Sequence, residues 1–163
     1  MKKLTVLAAT TLLLSIGLTP AAHAESVIVP CGSGATYTIY LPAGAAAEGS
    51  KCSGALTLDS RVKLIDAGAF KASALTSVVI PDSVLTIGSS AFYGSKSLTN
   101  VTIGKNVSSL RAAAFGSTNV TSLKLPDSML KIEREAFKFT KLSSVVLPAK
   151  LVSIGDLAFE GNP

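Results

Sequence analysis

The chain contains little of the chemistry on which most catalytic sites depend. It has no tryptophan, only two cysteines and, among 163 residues, a single histidine at His23. Charged residues make up 15% of the chain and aromatic residues 6%, against 48% apolar residues. This composition is too apolar for a disordered protein, and the length suits one folded domain.

The N-terminal segment has the layout of a secretory signal peptide. Two lysines precede an apolar run over residues 4–18, and an A-x-A site follows at Ala22-His23-Ala24. The apolar run is shorter than the about 20 residues that a membrane-spanning helix needs. We therefore predict a signal peptide at residues 1–24, cleaved after Ala24, and no stable membrane insertion once it is gone.

Removal of residues 1–24 leaves a chain without an imidazole. Ser-His-Asp triads, Cys-His pairs and histidine-ligated metal sites are thereby excluded from the mature protein. The lysines are spread along the chain without a dense arginine patch or interleaved tryptophan, which argues against a nucleic-acid partner. We expect no enzyme activity, no catalytic residue, no metal and no cofactor.

Cys31 and Cys52 are the only cysteines, and both lie in the predicted exported part. An oxidising compartment favours a disulfide between them. A redox pair would normally have C-x-x-C spacing, and a zinc site needs more than two ligands. We predict a structural disulfide, which should stabilise the fold by roughly 3 kcal/mol on the loop-entropy model.

A repeat of 22 or 23 residues organises the rest of the chain. Its clearest mark is an Ala-Phe pair, and the five phased pairs are Ala69-Phe70, Ala91-Phe92, Ala114-Phe115, Ala136-Phe137 and Ala158-Phe159. A second apolar position lies five residues before each phenylalanine, at Ile65, Ile87, Leu110, Ile132 and Ile154. One unit cannot bury so many apolar residues alone, whereas stacked units share one core. The repeat therefore predicts a solenoid of about five units over residues 56–163.

Each unit contains a short stretch with apolar residues two apart, such as Ser77–Ile80, followed by a proline such as Pro81. Alternation of this kind is typical of a strand, and proline ends it because proline cannot donate to a continuing ladder. We expect an α/β repeat solenoid with a parallel β-sheet on one face and short turns or helical turns on the other.

The two ends of the predicted solenoid differ. Residues 25–55 hold two alternating stretches around Cys31, which predict a disulfide-tied hairpin that caps the first unit. The last unit has no polar cap after Phe159, so its apolar residues would have one side uncovered. We expect self-association through this last unit, unless the sequence is a fragment of a longer protein.

The candidate binding face consists of residues that point away from the core on the predicted strands. These residues are Thr76, Ser77, Thr99, Asn100, Thr102, Thr121, Ser122, Lys124, Ser143 and Ser144. Solenoids present extended surfaces of this kind to partners. The alternative is that threonine and serine are simply good solvated strand residues. Asn100, Thr102 and Lys124 are the most distinctive members of the set.

The full pattern L-x-x-V-x-I-P-x-x-V-x-x-I-x-x-x-A-F, as in residues 75–92, resembles the BspA-like leucine-rich repeat family. Serine stands at positions 60, 83 and 128, where other leucine-rich repeats have an asparagine ladder, and only Asn106 fits that ladder. The resemblance implies a bacterial protein that is secreted or displayed on the cell surface, often as an adhesin.

Two classes of function remain open from the sequence. The first is a non-catalytic module that binds an extracellular protein or glycan through its strand face. The second is a structural or assembly segment, or a truncated fragment of a larger surface protein, with no ligand of its own.

Overall fold

The computed structural model describes residues 25–163, which form a β-solenoid of about five turns. The predicted signal peptide and its cleavage site lie outside these described residues. We number the turns coil 1 to coil 5 by the phenylalanine that each contains, in the order Phe70, Phe92, Phe115, Phe137 and Phe159.

The strands of the described chain are short and belong to two sheets. In chain order they are β1 (Ser26–Pro30), β2 (Thr36–Tyr40), β3 (Ala45–Ala47), β4 (Ser53–Thr57), β5 (Leu64–Ile65), β6 (Ala74–Val79), β7 (Thr86–Ile87), β8 (Asn100–Thr102), β9 (Ser109–Leu110), β10 (Lys131–Ile132) and β11 (Ser153–Ile154). One sheet has the order β1-β2-β3-β5-β7-β9-β10-β11, and the other has the order β4-β6-β8. We call the first the anchor sheet and the second the strand sheet.

The anchor sheet runs the whole length of the solenoid. From β3 to β11 its neighbours pair in parallel through one two-residue step per coil, for example Ile87 with Leu110. The inward residue of each step is the second apolar position of the repeat, and Ile65, Ile87 and Leu110 are fully buried. This corrects the expectation that the side away from the main strands consists of turns alone.

No α-helix, and so none able to cross a membrane, occurs within residues 25–163. The expected helical turns are absent because alternate N–H groups of each Ala-Phe turn bond to the next coil. Phe70 N–H donates to the Ala91 carbonyl at 2.7 Å, and Ala72 N–H donates to the Tyr93 carbonyl at 2.8 Å. Ala72 also lies in the left-handed region, with φ 53°, which interrupts any helical run. The fold is therefore a β-solenoid, not an α/β one.

The strand sheet stops after coil 3. Strands β4, β6 and β8 pair in parallel, and a single bridge from Asn100 to Ser122 continues the ladder into coil 4. The prediction of a strand at this position in every unit is thus wrong for coils 4 and 5. Coil 3 has Gly104 where coils 2 and 4 have proline, and a Cβ there would lie 2.3 Å from the Pro81 carbonyl oxygen.

A stack of phenylalanine rings forms the spine of the core, as the repeat predicts. Successive ring centroids lie 5.3, 5.1, 5.7 and 5.4 Å apart from Phe70 to Phe159, with the rings nearly parallel. Tyr37 packs edge-on against Phe70 at 5.6 Å and closes the N-terminal end of the stack. Each buried ring contributes about 1.5–3 kcal/mol through the hydrophobic effect.

A buried polar ladder lies beside this spine and was not predicted. It occupies the third position after each spine phenylalanine, at Ser73, Ser95, Thr118, Thr140 and Asn162. Ser95 Oγ donates to the Phe70 carbonyl at 2.9 Å and accepts from Ser73 N–H at 3.1 Å. The Asn162 amide group donates to the carbonyls of Phe137 and Phe159, both at 2.8 Å. The ladder therefore satisfies carbonyl groups of the buried turns, which would otherwise be costly to bury.

The N-terminal hairpin forms as its alternation predicts. Strands β1 and β2 pair antiparallel, and β2 pairs antiparallel with β3, which joins the anchor sheet. Cys31 and Cys52 are bonded in the predicted disulfide, with a Cα–Cα distance of 5.1 Å. The buried Tyr37 hydroxyl accepts a hydrogen bond from Asp59 N–H at 2.9 Å. Burial raises the pKa of Tyr37 above its usual value.

Candidate binding face

The strand sheet positions the first half of the predicted face. The parallel register sets Ser77 opposite Asn100 and Val79 opposite Thr102. Thr76 is exposed on β6, and Asn100 and Thr102 are exposed on β8, because alternate residues of a strand point to opposite sides of the sheet.

Hydrogen bonds join exposed residues of this face from one coil to the next. Thr99 Oγ1 donates to the Thr76 carbonyl at 3.3 Å, and Asn100 Nδ2 donates to Thr99 Oγ1 at 3.2 Å. The bridge from Asn100 to Ser122 brings the exposed Thr121 and Ser122 alongside. These side chains form a continuous polar row across coils 2 to 4.

The last two predicted residues are not brought into this row by a sheet. Ser143 and Ser144 are exposed, but they lie in an irregular segment of coil 5. Within the described chain, residues 143–147 donate no backbone hydrogen bond. Their place in a common binding surface therefore depends on the stacking of coil 5 alone.

A groove opens where coils 3 and 4 part. It has a volume of about 340 Å³ and is lined by Val101, Thr102, Ile103, Lys105, Lys124, Pro126 and Asp127. Thr102 and Lys124, two of the three most distinctive predicted residues, thus lie in one depression. The other lining residues carry no sequence signal, because the groove lies where strand pairing ends and not at a motif.

The two lysines of the groove differ in their electrostatic environment. Lys105 Nζ lies 3.0 Å from Asp82 Oδ2, and the backbone N–H of Lys105 donates to Asp82 Oδ1 at 2.9 Å. These bonds from Lys105 hold the pKa of the Asp82 carboxyl below its usual value. Lys124 forms no ion pair with any residue in the described range 25–163. Its ammonium group is therefore available to a carboxylate of a partner.

The chemistry of the groove suits binding. Val101, Ile103 and Pro126 provide an aliphatic surface, while Thr102 provides a hydroxyl and Lys124 a cation. No group of three or more histidine, cysteine, aspartate or glutamate residues is arranged to hold a metal ion in residues 25–163.

The fold and its repeat define a leucine-rich repeat solenoid, and comparison with protein families identifies the type of leucine-rich repeat. Residues 55–163 match the BspA type leucine-rich repeat region, in six copies. The chain therefore belongs to the BspA-type leucine-rich repeat family, which confirms the resemblance seen in its repeat. No curated protein matches the chain.

Solved structures with a similar fold are bacterial leucine-rich repeat proteins. One from Eubacterium ventriosum is 16% identical, with a TM-score of 0.51, over 80% of this chain and 40% of that chain. One from Bacteroides capillosus is 22% identical, with a TM-score of 0.49, over 83% of this chain and 91% of that chain. A leucine-rich cell surface protein from Faecalibacterium prausnitzii is 24% identical, with a TM-score of 0.42, over 83% of this chain and 52% of that chain.

Proposed function

We propose that the protein is a non-catalytic binding module, secreted or displayed on the cell surface, whose strand face contacts an extracellular protein or glycan. The observation that carries this proposal is the groove between coils 3 and 4, where the aliphatic surface lies beside the unpaired Lys124 ammonium. The strand sheet fixes the coil 3 side of this groove, and a side that is ordered before binding reduces the entropic cost of binding.

A protein partner suits this groove better than a glycan does. The lining residues include no aromatic ring on which a sugar could stack, but Val101, Ile103 and Pro126 can contact an apolar side chain. Lys124 would pair with a carboxylate of the same partner, and such a pair is stronger where it is partly desolvated. The expected partner segment therefore combines an apolar side chain with an acidic one.

A predicted export signal supports an extracellular partner. Residues 1–24 have the sequence of a signal peptide, and the disulfide between Cys31 and Cys52 suits an oxidising compartment. The family to which the chain belongs agrees with this location.

The proposal is tested by capture of partners from the surface and culture fractions of the source cell. The bait is the chain 25–163, and the test variant carries Thr102→Glu and Lys124→Glu. A matched control carries Thr57→Glu and Lys51→Glu, which make the same chemical changes at exposed positions outside the groove. We expect the wild type and the control to retain one partner that the test variant loses. Retention by all three baits, or by none, would contradict the proposal.

A second candidate, assembly through coil 5, is favoured by the apolar side chains that this coil exposes. Val146 is 85% exposed and Val152 is 74% exposed, and Leu147, Ile154 and Leu157 are also exposed. A patch of this kind typically marks an interaction site. We expect association at tens of micromolar in sedimentation velocity, and its loss in a Val146→Lys, Val152→Lys variant. A monomer at all concentrations would remove this candidate.

A further inference from the structure

Two aromatic rings on the outer turns stand apart from the spine. Tyr93 is 39% exposed and Phe139 is 54% exposed, and no other aromatic side chain of residues 25–163 is exposed. Although they belong to coils 2 and 4, both line one depression of about 190 Å³. This depression, which we call the aromatic trough, lies on the outer turns and shares no lining residue with the groove of the strand face.

The repeat itself shows that the fold does not require these rings. Tyr93 directly follows a spine phenylalanine, and the equivalent residues of the other coils are Lys71, Gly116, Lys138 and Glu160. Phe139 is the second residue after a spine phenylalanine, and its equivalents are Ala72, Gly94, Ser117 and Gly161. Small, flexible or charged residues thus serve the same turns elsewhere.

Phe139 is also held in an unfavourable backbone conformation. Its φ is 54°, in the left-handed region, where a bulky residue is rare and glycine meets no steric clash. The same position is glycine in coil 2 (φ 74°) and in coil 5 (φ 72°). The left-handed conformation itself recurs in every coil, with Ala72 at φ 53° and Ser117 at φ 58°, so coil 4 differs only in carrying a bulky exposed ring there.

The two exposed rings lie at opposite ends of the trough, against Gly116 of coil 3 and Gly161 of coil 5. The spine advances 5.1 Å from Phe92 to Phe115 and 5.7 Å from Phe115 to Phe137, so Tyr93 and Phe139 belong to coils two steps apart. Ala113 and Ser117 line the trough from coil 3, between these two coils.

The charges of the trough balance one another. Lys138 Nζ lies 2.6 Å from Glu160 Oε2 and 3.6 Å from Glu135 Oε1, and Arg134 lies 2.9 Å from Glu135. The hydrogen bond from Lys138 to the Glu160 carboxylate raises the pKa of Lys138, so the ammonium stays charged at neutral pH. A charged ligand would have to disrupt these pairs, whereas a neutral ligand with hydroxyl groups can hydrogen-bond to them as they stand.

We propose that the aromatic trough binds a neutral hexopyranose, as one sugar of a larger glycan. The apolar C–H face of such a ring packs against an aromatic face, and its hydroxyl groups match the carboxylate of Glu135, the ammonium of Lys138 and the hydroxyl of Ser117. The trough is thus a second binding site, on a different surface from the strand face and with a different ligand class.

The test measures binding of neutral methyl hexopyranosides to the chain 25–163 by two-dimensional NMR. Neutral and acidic oligosaccharides are screened first on an array. The variants Tyr93→Lys and Phe139→Gly introduce residues that the repeat already uses at these positions, so each should fold. Thermal unfolding measures the stability lost with the ring contacts to Gly116 and Gly161. Lys124→Glu, in the strand-face groove, serves as the control.

We expect at least one neutral hexopyranoside to shift the backbone amides of Ala113, Ser117 and Lys138. Each trough variant should weaken this binding about fivefold or more, because each removes one stacking surface, while the control binds as the wild type does. Binding of no neutral sugar, a preference for acidic glycans or peptides at the same amides, or variants with unchanged affinity would overturn the proposal. Because Lys124→Glu abolishes only strand-face capture, failure here and failure of the proposed function are distinguishable.

Discussion

Coils 1 to 3 pair with one another through both sheets, whereas coils 4 and 5 pair through the anchor sheet, and only coil 4 keeps one ladder bridge to coil 3. The two regions nevertheless keep the same ring spacing and the same buried positions around Phe92 and Phe137. The comparison indicates that the spine and the anchor sheet hold the solenoid together. The strand sheet adds rigidity to the N-terminal half, and where it ends a groove becomes available for binding.

The two regions also differ in how completely they bury their apolar residues. In coil 2 the anchor residue Ile87 is fully buried, whereas its equivalent Ile154 in coil 5 is exposed. Substitutions at equivalent positions should therefore cost more in the first region than in the second, and the repeat supplies matched pairs for the comparison.

The largest difference is expected from truncation of the spine. Phe115 is fully buried between two rings, and Phe115→Ala should lower the free energy of unfolding by about 3–5 kcal/mol. Phe159 stacks on one ring and is only partly buried, so Phe159→Ala should cost clearly less. Urea unfolding measures both. Equal losses in the free energy of unfolding would contradict the claim that the first region buries its apolar residues more completely than the second.

Removal of the disulfide should give the next largest effect. Cys31 and Cys52 are separated by 21 positions, and the double Cys→Ser variant should lose about 3 kcal/mol of stability. Because the cap packs on coil 1 through the contact of Tyr37 with Phe70, hydrogen exchange should rise in the cap and coil 1 before it rises in coil 5. An increase that begins in coil 5 would show that the cap does not stabilise the N-terminal region.

A smaller effect is expected from the polar ladder. Ser95→Ala removes a buried hydroxyl that bonds to Ser73 and to the Phe70 carbonyl, so it should cost about 1–3 kcal/mol. Thr118→Val removes only one bond, from its hydroxyl to the Phe115 carbonyl, and should cost less. Thermal unfolding of the two variants compares them directly, and a neutral Ser95→Ala would show that the ladder contributes nothing.

The smallest expected effect is a loss of stability in alkali. The pKa of Tyr37 is raised by burial in the folded protein, so the unfolded chain releases this proton first as the pH rises through about 10. The contribution of Tyr37 to stability should be constant below that pH and fall above it. Between pH 8 and pH 11, the free energy of unfolding measured in urea should fall less for Tyr37→Phe than for the wild type. An equal fall would show that other groups cause the loss of stability.

Much of the fold is readable from the repeat. The Ala-Phe period predicts the ring spine, and the residue five before each phenylalanine predicts the buried side of the anchor sheet. The spacing of the cysteines and their place after a predicted signal peptide predict the disulfide. Ser83 and Ser128, at the expected asparagine-ladder position, each donate to a carbonyl of the preceding coil at 2.7 Å. These features are predictable because they recur at a fixed phase.

Features that depend on one coil alone were not predictable. The strand sheet ends after coil 3 although coils 4 and 5 keep the apolar alternation of the repeat, so no periodic pattern marks its end. The aromatic trough likewise arises from two departures from the repeat, Tyr93 and Phe139, which only the stacking of coils brings together. The polar ladder did have a signal, since a serine, threonine or asparagine stands three residues after every spine phenylalanine.

Hydrogen exchange along the chain 25–163 tests the central claim most directly. Glu133 N–H donates to the Leu110 carbonyl and Gly155 N–H to the Ile132 carbonyl, at 2.9 and 2.7 Å, whereas residues 124–127 and 143–147 donate no backbone hydrogen bond within the described chain. We predict slow exchange at the amides of Glu133 and Gly155 and fast exchange at the amides of residues 124–127 and 143–147. Exchange in residues 124–127 as slow as in β6 would contradict the account, because the strand sheet would then extend through the proposed groove.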